Sequence, residues 1–335
     1  MKTDPLILSF PFSSKDRLIL GVSGGSDSLG LLYLLLERLP RATRRLVVAH
    51  VNYGLRGRAS DKDEAFLRAI CKKEGLAFRA LKVKGFLTKA RIQKRSPQDL
   101  AREIRYAFFQ KLAQDHRAWG VAVGHHLEDQ GETILDRLLR GSGSRGLSGL
   151  RTIQVLRFLP GQMGLRVWRP LLSFSKGQIQ DLLRQKGVAW REDRSNRQAK
   201  YRRNQIRQEV LPFLMRWNPG LPKALGKMAE VTAAEDAFLE SLLAPLGRKV
   251  GSRWARSGYS CRAKDFEKLP TALKRRWVRA VAERLSGEAR GLSFDRIEEV
   301  LRLWEGREKG PRDLGFGLLA GRDRGQAYLR SRPRA

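Results

Sequence analysis

Cysteine is nearly missing from this chain of 335 residues: Cys71 and Cys261 are all it has, far apart in sequence. They make neither a CxxC pair nor a zinc ligand set, and a disulfide scaffold is not indicated. A reducing compartment, the cytoplasm, is the expected setting. Long apolar runs are also lacking, and none reaches membrane-spanning length. The N-terminal MKTDPLILSFPFSSK carries a short apolar patch, but it also holds Asp4 and two prolines, and no small-residue cleavage site follows. A signal peptide is not expected. There is no internal repeat and no long low-complexity segment. Acidic residues are few: 34 Asp+Glu stand against 67 Lys+Arg, a formal net charge of +33. Such a balance points to a polyanionic partner, with nucleic acid the best fit, because each Lys or Arg that meets a phosphate releases counterions. An arginine-rich proteome that inflates every pI is the bland alternative.

What is present is enough for two domains, since 41% of the residues are apolar and they are spread along the whole length. The first half alternates strand-like and helix-like stretches. Arg17–Val22, Arg45–Val51, Ala77–Val83 and Trp119–Gly124 read as strands. Leu29–Leu39, Asp61–Glu74, Pro97–His116 and a stretch from about Leu127 to Leu139 read as helices. Pro97 suits a first helical turn, and Leu100, Ile104, Phe108 and Leu112 share one face. This alternation predicts an α/β fold with a parallel sheet covered on both faces, whose ligands bind at the carboxyl ends of the strands. Arg140–Gly149 (RGSGSRGLSG) is a basic, glycine-rich loop expected at the mouth of a site, and Pro170–Trp190 adds a turn and an amphipathic helix. The pattern breaks at Trp217–Pro222 (WNPGLP), which places a domain boundary between residues 217 and 218. The remainder, 218–335, reads as a smaller, mostly helical α+β domain. Its helices are expected at Ala229–Leu243, Ala272–Leu285 and Phe294–Trp304, with a glycine-rich, β-like tail.

Residues Ser23, Gly24, Gly25, Ser26, Asp27 and Ser28 (SGGSDS) follow a strand and open a helix. Two glycines permit a tight turn, and successive N–H groups at a helix N-terminus make an anion nest. Asp27 is out of place in an anion site unless a cation intervenes, which points to Mg2+ bound together with ATP or pyrophosphate. The Walker A pattern GxxxxGK[ST] is absent. An ordinary capped turn, with Ser26 or Asp27 as N-cap, is the competing reading.

In GHHLEDQGET, which begins at Gly124, Asp129 and Glu132 lie three apart on a helix and so share a face. They suit a cationic substrate or a metal, or merely an acid-rich helix N-terminus. The zincin order HExxH is absent. His50 in HVNYGLR leaves the second strand, where a loop or capping role competes with nucleotide contact. Arg102 and Arg105 in AREIRY offer charge stabilisation or a solvated basic face. In EDRSNRQAKYRRNQIRQEVLP, Arg203 and Arg207 accompany Tyr201 and Asn204, a mix that grips phosphate and stacks a base, or else forms an exposed amphipathic helix.

SGGSDS is similar to the PP-loop of the N-type ATP pyrophosphatases. The ordered set HVNYGLR, AREIRY, GHHLEDQGET, RGSGSRGLSGL, RPLL and DRSN…YRRNQIR resembles the tRNA(Ile)-lysidine synthase family from about Leu18 to Pro219. Past Pro219 the resemblance is mainly architectural. It implies a PP-loop ATP pyrophosphatase catalytic domain at 1–217 and a tRNA-binding domain at 218–335. It also implies a ligase reaction. ATP is cut to AMP and pyrophosphate, O2 of the wobble cytidine of a tRNA(Ile) with a CAU anticodon is adenylated, and the ε-amino group of free lysine displaces AMP.

Carried over onto this sequence, the resemblance gives Ser23–Ser28, with His50 and Gly124, to the nucleotide, and Asp27 also to Mg2+. Asp129 and Glu132 would hold lysine. Arg102 or Arg105 would offset charge as the adenylate forms, and Arg203 and Arg207 would hold tRNA or the reacting groups. A homodimer is compatible with it. Tyr53 stands where the family often has histidine and receives no catalytic role; Glu128 stands where many members have aspartate. The alternatives are another PP-loop tRNA-modifying enzyme such as a thiolase, a non-catalytic RNA-binding protein, and a small-molecule synthetase of the same superfamily.

Overall fold

In the computed structural model the described residues are 10–156, 164–191, 202–255, 258–286 and 292–331. The chain divides into two compact units between Ala233 and Ala234. The sequence break at WNPGLP marks instead the start of a long helix that runs past that division. Asn218 and Gly220 end one helix and begin the next, and a helix start need not coincide with a change of core.

The first unit runs β1 (Arg17–Gly21), α1 (Ser26–Arg38), α2 (Ala42–Arg45), β2 (Leu46–Asn52), α3 (Arg58–Lys73), β3 (Ala77–Lys82), α4 (Phe86–Ile92) and α5 (Pro97–Asp115). It continues β4 (Ala118–Val123), α6 (Leu127–Leu138), α7 (Ser144–Leu147), β5 (Ile153–Leu156), β6 (Leu165–Trp168), α8 (Lys176–Gln185) and α9 (Arg202–Gln205). A π-helical turn (Ile206–Val210), α10 (Leu211–Trp217) and α11 (Leu221–Ser241) follow, and the end of α11 belongs to the second unit. The continuous apolar runs RLILG and LVVAHVN become central strands because both their faces are covered.

The strand order is β3-β2-β1-β4-β6-β5. All neighbours are parallel except β5, which pairs antiparallel with β6. The sheet is the parallel one expected from the alternation of strands and helices, with a single antiparallel strand, β5, added at one edge. On one face Leu29, Leu32 and Leu35 of α1 pack with Leu67 of α3 and Ile179 and Leu183 of α8. On the other, Tyr106, Phe109 and Leu112 of α5 pack on Ile19, Val47 and Val121. The apolar stripe of α5 is rotated from the expected one: Ile104 and Phe108 are half-buried while Tyr106 and Phe109 are enclosed.

The second unit contains α12 (Leu243–Lys249), β7 (Arg253–Ala255), β8 (Gly258–Arg262), α13 (Ala263–Glu267), α14 (Thr271–Ser286), α15 (Phe294–Trp304), β9 (Arg312–Gly315), β10 (Leu318–Asp323) and β11 (Gln326–Ser331). Its sheet, ordered β7-β8-β11-β10-β9, is wholly antiparallel. The expected helices at 272–285 and 294–304 are α14 and α15, and the β-like tail supplies three strands of the sheet. Fully buried Trp304 centres its core, with Tyr259 stacked on it 6.0 Å away. No helix among the described residues is long and apolar enough to cross a membrane.

Candidate active site

Both β1 and β4 end beside the start of α1. After β1 the chain turns through Gly24, whose φ of +94° lies in the left-handed region that favours glycine. Gly25 is the N-cap of α1, and no side chain caps the helix. Neither Ser26 nor Asp27 plays the capping role, so the first-turn N–H groups are not satisfied by a local side chain. Ser28 instead braces the turn: its hydroxyl accepts from the Ser23 N–H at 3.1 Å and donates to the Gly25 carbonyl at 3.1 Å. Ser26 and Ser28 are buried, Ser23 is exposed and Asp27 is partly open. Gly124 lies against the same turn: a Cβ there would stand 2.6 Å from the Asp27 carbonyl oxygen. Only glycine lets β4 approach α1 so closely.

His50 is buried, and its Nδ1 lies 2.9 Å from the Val22 carbonyl. A carbonyl only accepts, so Nδ1 carries the proton. The ring supports the strand end just ahead of Ser23. Tyr53 donates its hydroxyl to the Ala101 carbonyl at 2.6 Å and packs on Phe86, tying the following loop to α5.

At the start of α6, Asp129 and Glu132 do share a face, and both are buried. They are already matched by cations. Asp129 Oδ1 accepts from Arg203 Nη2 at 3.0 Å and from Arg207 Nη2 at 2.9 Å. Glu132 Oε2 accepts from Arg203 Nε at 3.0 Å and from Arg207 Nη2 at 2.9 Å, and its Oε1 accepts from Arg207 Nε. Burial alone would raise the Asp129 pKa; the positive charges of His126, Arg203 and Arg207 hold it below the usual carboxylate range. The sequence separates the arginines from the acids in role, whereas the structure joins all four in one closed network. Tyr201, singled out in the same basic segment, lies outside the described residues.

His126 links the network to the turn. Its Nε2 stands 3.6 Å from Asp27 Oδ2 and 3.4 Å from Asp129 Oδ2, and its Nδ1 is 2.8 Å from Glu128 Oε2. Burial works against the imidazolium, but the Glu128 hydrogen bond with Asp129 and Asp27 outweighs it and raises the pKa. Glu128 also accepts from the Lys176 N–H at the start of α8.

Arg102 and Arg105 lie over the Tyr106 ring, at 4.9 Å and 5.6 Å. Arg102 is exposed and Arg105 half-buried. Gln130, Arg137, Arg169 and His125 carry no role in the sequence pattern alone. Gln130 pairs its carboxamide with the Leu150 peptide, accepting at 2.6 Å and donating at 3.1 Å. Arg137 donates to the Gly146 and Gly149 carbonyls at 2.7 Å and 2.9 Å. The basic glycine-rich loop is thus pinned to α6 rather than loose. Arg169, 1% exposed, donates to the Arg151 carbonyl and to Gln154. Its place in RPLL was the one available signal.

The chain matches the PP-loop domain family over residues 3–214. Among characterised proteins it is similar to the tRNA(Ile)-lysidine synthase of Geobacter sulfurreducens, 36% identical over 87% of this chain and 60% of the relative. It is also similar to the tRNA(Ile)-lysidine synthase of Geobacillus kaustophilus, 36% identical over 90% of this chain and 63% of the relative. That of Bacillus subtilis is 33% identical over 79% of this chain and 54% of the relative. The chain therefore spans about three fifths of the length of the first relatives it matches. Among solved structures, the U34-tRNA thiolase NcsA of Methanococcus maripaludis superposes with a TM-score of 0.53 at 19% identity, covering 65% of this chain and 72% of that one, a likeness of fold. On the family match, with the uncapped turn after β1 and the strand order around it, the chain belongs to the PP-loop family.

Proposed function

We propose that this chain is a tRNA(Ile)-lysidine synthase, a ligase that adenylates O2 of the wobble cytidine of a tRNA(Ile) with a CAU anticodon and passes it to the ε-amino group of lysine. One observation carries the reading: His126 stands within 3.6 Å of Asp27 and 3.4 Å of Asp129, so the anion-binding turn and the acidic pair form a single site. A nucleotide and a cationic amine bound there would be neighbours, as an adenylation followed by amine attack requires. The names of the relatives, and similarity that spans most of this chain, support the choice of tRNA and amine. The net charge of +33 suits an RNA substrate.

In this reading the ATP phosphates lie on the α1 N-terminus, where helix dipole and N–H groups favour anions. Asp27 fits Mg2+: its carboxylate is partly open beside the uncapped turn. One carboxylate with substrate phosphates and water is the usual way Mg2+ is held. The ion would neutralise charge on the phosphates. Arg102 and Arg105 supply further positive charge on the α5 side.

The acidic pair and its two arginines are neutral as a set. Adding a lysine ammonium without losing a cation would leave one charge in excess, which favours exchange. Arg203, the more exposed of the two at 45% against 33%, is the one expected to yield and turn to phosphate. A cluster-dependent thiolase is not supported: the sequence has two cysteines, both buried, one in each compact unit.

The test is incubation of purified protein with Mg·ATP, isotope-labelled lysine and unmodified tRNA(Ile) bearing CAU, followed by nucleoside digestion. ATP-dependent label at the wobble cytidine is expected. Release of AMP and pyrophosphate with tRNA but without label would keep the nucleotide chemistry and discard lysine as the nucleophile.

A further inference from the structure

His125 leaves β4 one residue after Gly124, hence beside the α1 turn, and it is half-buried. Arg169 approaches it with Nε 3.3 Å from His125 Nδ1. A guanidinium has donors only. His125 Nδ1 must then accept, and in the neutral ring the proton sits on Nε2. Arg169 cannot easily turn away, because its Nη1 donates to the Arg151 carbonyl at 2.9 Å and its Nη2 to Gln154 at 3.2 Å, with Tyr106 also hydrogen-bonded to it. One side of the imidazole is therefore spoken for by a fully buried cation.

The groups that face His125 come from every side. Asp129 of α6 favours its protonation, whereas Arg169 after β6, Arg203 of α9 and Arg105 of α5 oppose it. Burial is the largest influence, and the pKa falls to about 3. With Nδ1 taken up by Arg169, the neutral ring presents a fixed N–H at Nε2.

We propose that His125 is a substrate-contacting hydrogen-bond donor, its Nε2–H aimed at a phosphoryl oxygen of the nucleotide as charge develops there, and that Arg169 is the positioning residue that sets its tautomer. This rests on the nucleotide reading of the site given above. A neutral donor held in place adds stabilisation as charge builds without the cost of moving a proton. It stands in contrast to His126, one residue on, which carboxylates favour as the cation.

The chain has four histidines, so the imidazole resonances of 15N-histidine-labelled protein are few and His125 is identified by its loss in H125Q. Long-range 1H–15N spectra from pH 5 to 8.5 are expected to show Nε2–H and bare Nδ1 throughout. Addition of Mg2+ with α,β-methylene-ATP is expected to shift Nε2. In R169M the tautomer is expected to become mixed, with Nδ1 and Nε2 shifts drawing together.

Kinetically, H125A is expected to lower the rate of tRNA-dependent pyrophosphate release about a hundred-fold, mainly in kcat. A glutamine amide nitrogen reaches the Nε2 position and an asparagine one the Nδ1 position. H125Q should therefore retain at least roughly ten times the activity of H125N, with circular dichroism and melting temperature confirming that each folds.

A ring titrating near its ordinary value in the wild type, an Nδ1–H tautomer, an Nε2 signal indifferent to nucleotide, or equal activity in H125Q and H125N would each overturn the assignment. Because the tautomer is read without turnover, a wild type that releases no pyrophosphate would discard the functional reading separately.

Discussion

Two clusters of charge lie within a few ångströms of each other and are built on opposite principles. The turn from Ser23 to Ser28 holds its own geometry through Ser28 and leaves its N–H groups uncapped, with Asp27 partly open. The cluster on α6 encloses Asp129 and Glu132 and satisfies both with Arg203 and Arg207. The first keeps its N–H groups open; the second satisfies its carboxylates within the protein, so that in the proposed reading an amine would enter it by exchange. In the proposed reading, a preorganised turn would bind its anion at little ordering cost, whereas exchange at the acidic pair would favour selectivity, since the ligand must match the guanidinium it replaces.

Removing the charge at the open cluster should have the largest effect. D27A is expected to lower pyrophosphate release by at least roughly a thousand-fold, with tRNA affinity, measured by filter binding, nearly unchanged. At the closed cluster the first loss is in stability. R207M leaves two buried carboxylates with one cation, and urea denaturation should show a loss of about 3 kcal/mol, while R216M, on an exposed arginine nearby, should cost under about 0.5 kcal/mol. A loss no larger in R207M than in R216M would mean that the network is loose and the contrast false.

D129N tests selectivity. It should raise the KM for lysine roughly thirty-fold and that for ATP far less. A rise confined to ATP would move the amine elsewhere.

The smallest effect concerns the His126 bridge. Its raised pKa gives stability that is fully present below the ordinary histidine value of 6.5 and is lost as pH rises through the folded value. The depressed Glu128 pKa gives stability present above its ordinary 4.5 and lost as pH falls through the folded value. E128Q should therefore be less stable than wild type by about 1 kcal/mol between those two values, and the gap should shrink above the folded His126 pKa. A gap that is constant with pH would show the pair to be uncharged.

The strands and helices around the turn were readable because local signals are strong there. RLILG is uniformly apolar and ends in glycine and serine, and α5 begins at Ser96–Pro97, where the Ser96 hydroxyl accepts from the Asp99 N–H. The shared face of Asp129 and Glu132 followed from helical spacing alone. Their partners did not: Arg203 and Arg207 stand more than 70 positions later in the chain, and no local pattern announces that meeting. Strands β5 and β6 are four residues each, too short for a period to declare itself. Arg169 looks like any surface arginine until the fold encloses it. The unit boundary falls inside α11, where composition does not change, and so the proline and glycine at its start were the only signal available.

Gly30 carries a consequence for how this protein can vary. A Cβ there would stand 2.3 Å from Cγ2 of Ile179, so α1 rests directly on α8. Three residues before Gly30 on the same rigid helix is Asp27. Positions 30 and 179 therefore share one fixed volume, and the height at which α1 rides sets where the Asp27 carboxylate stands. Heredity should see them as a pair: a methyl gained at 30 is an injury that atoms removed at 179 can repair, and lineages that change one are expected to change the other.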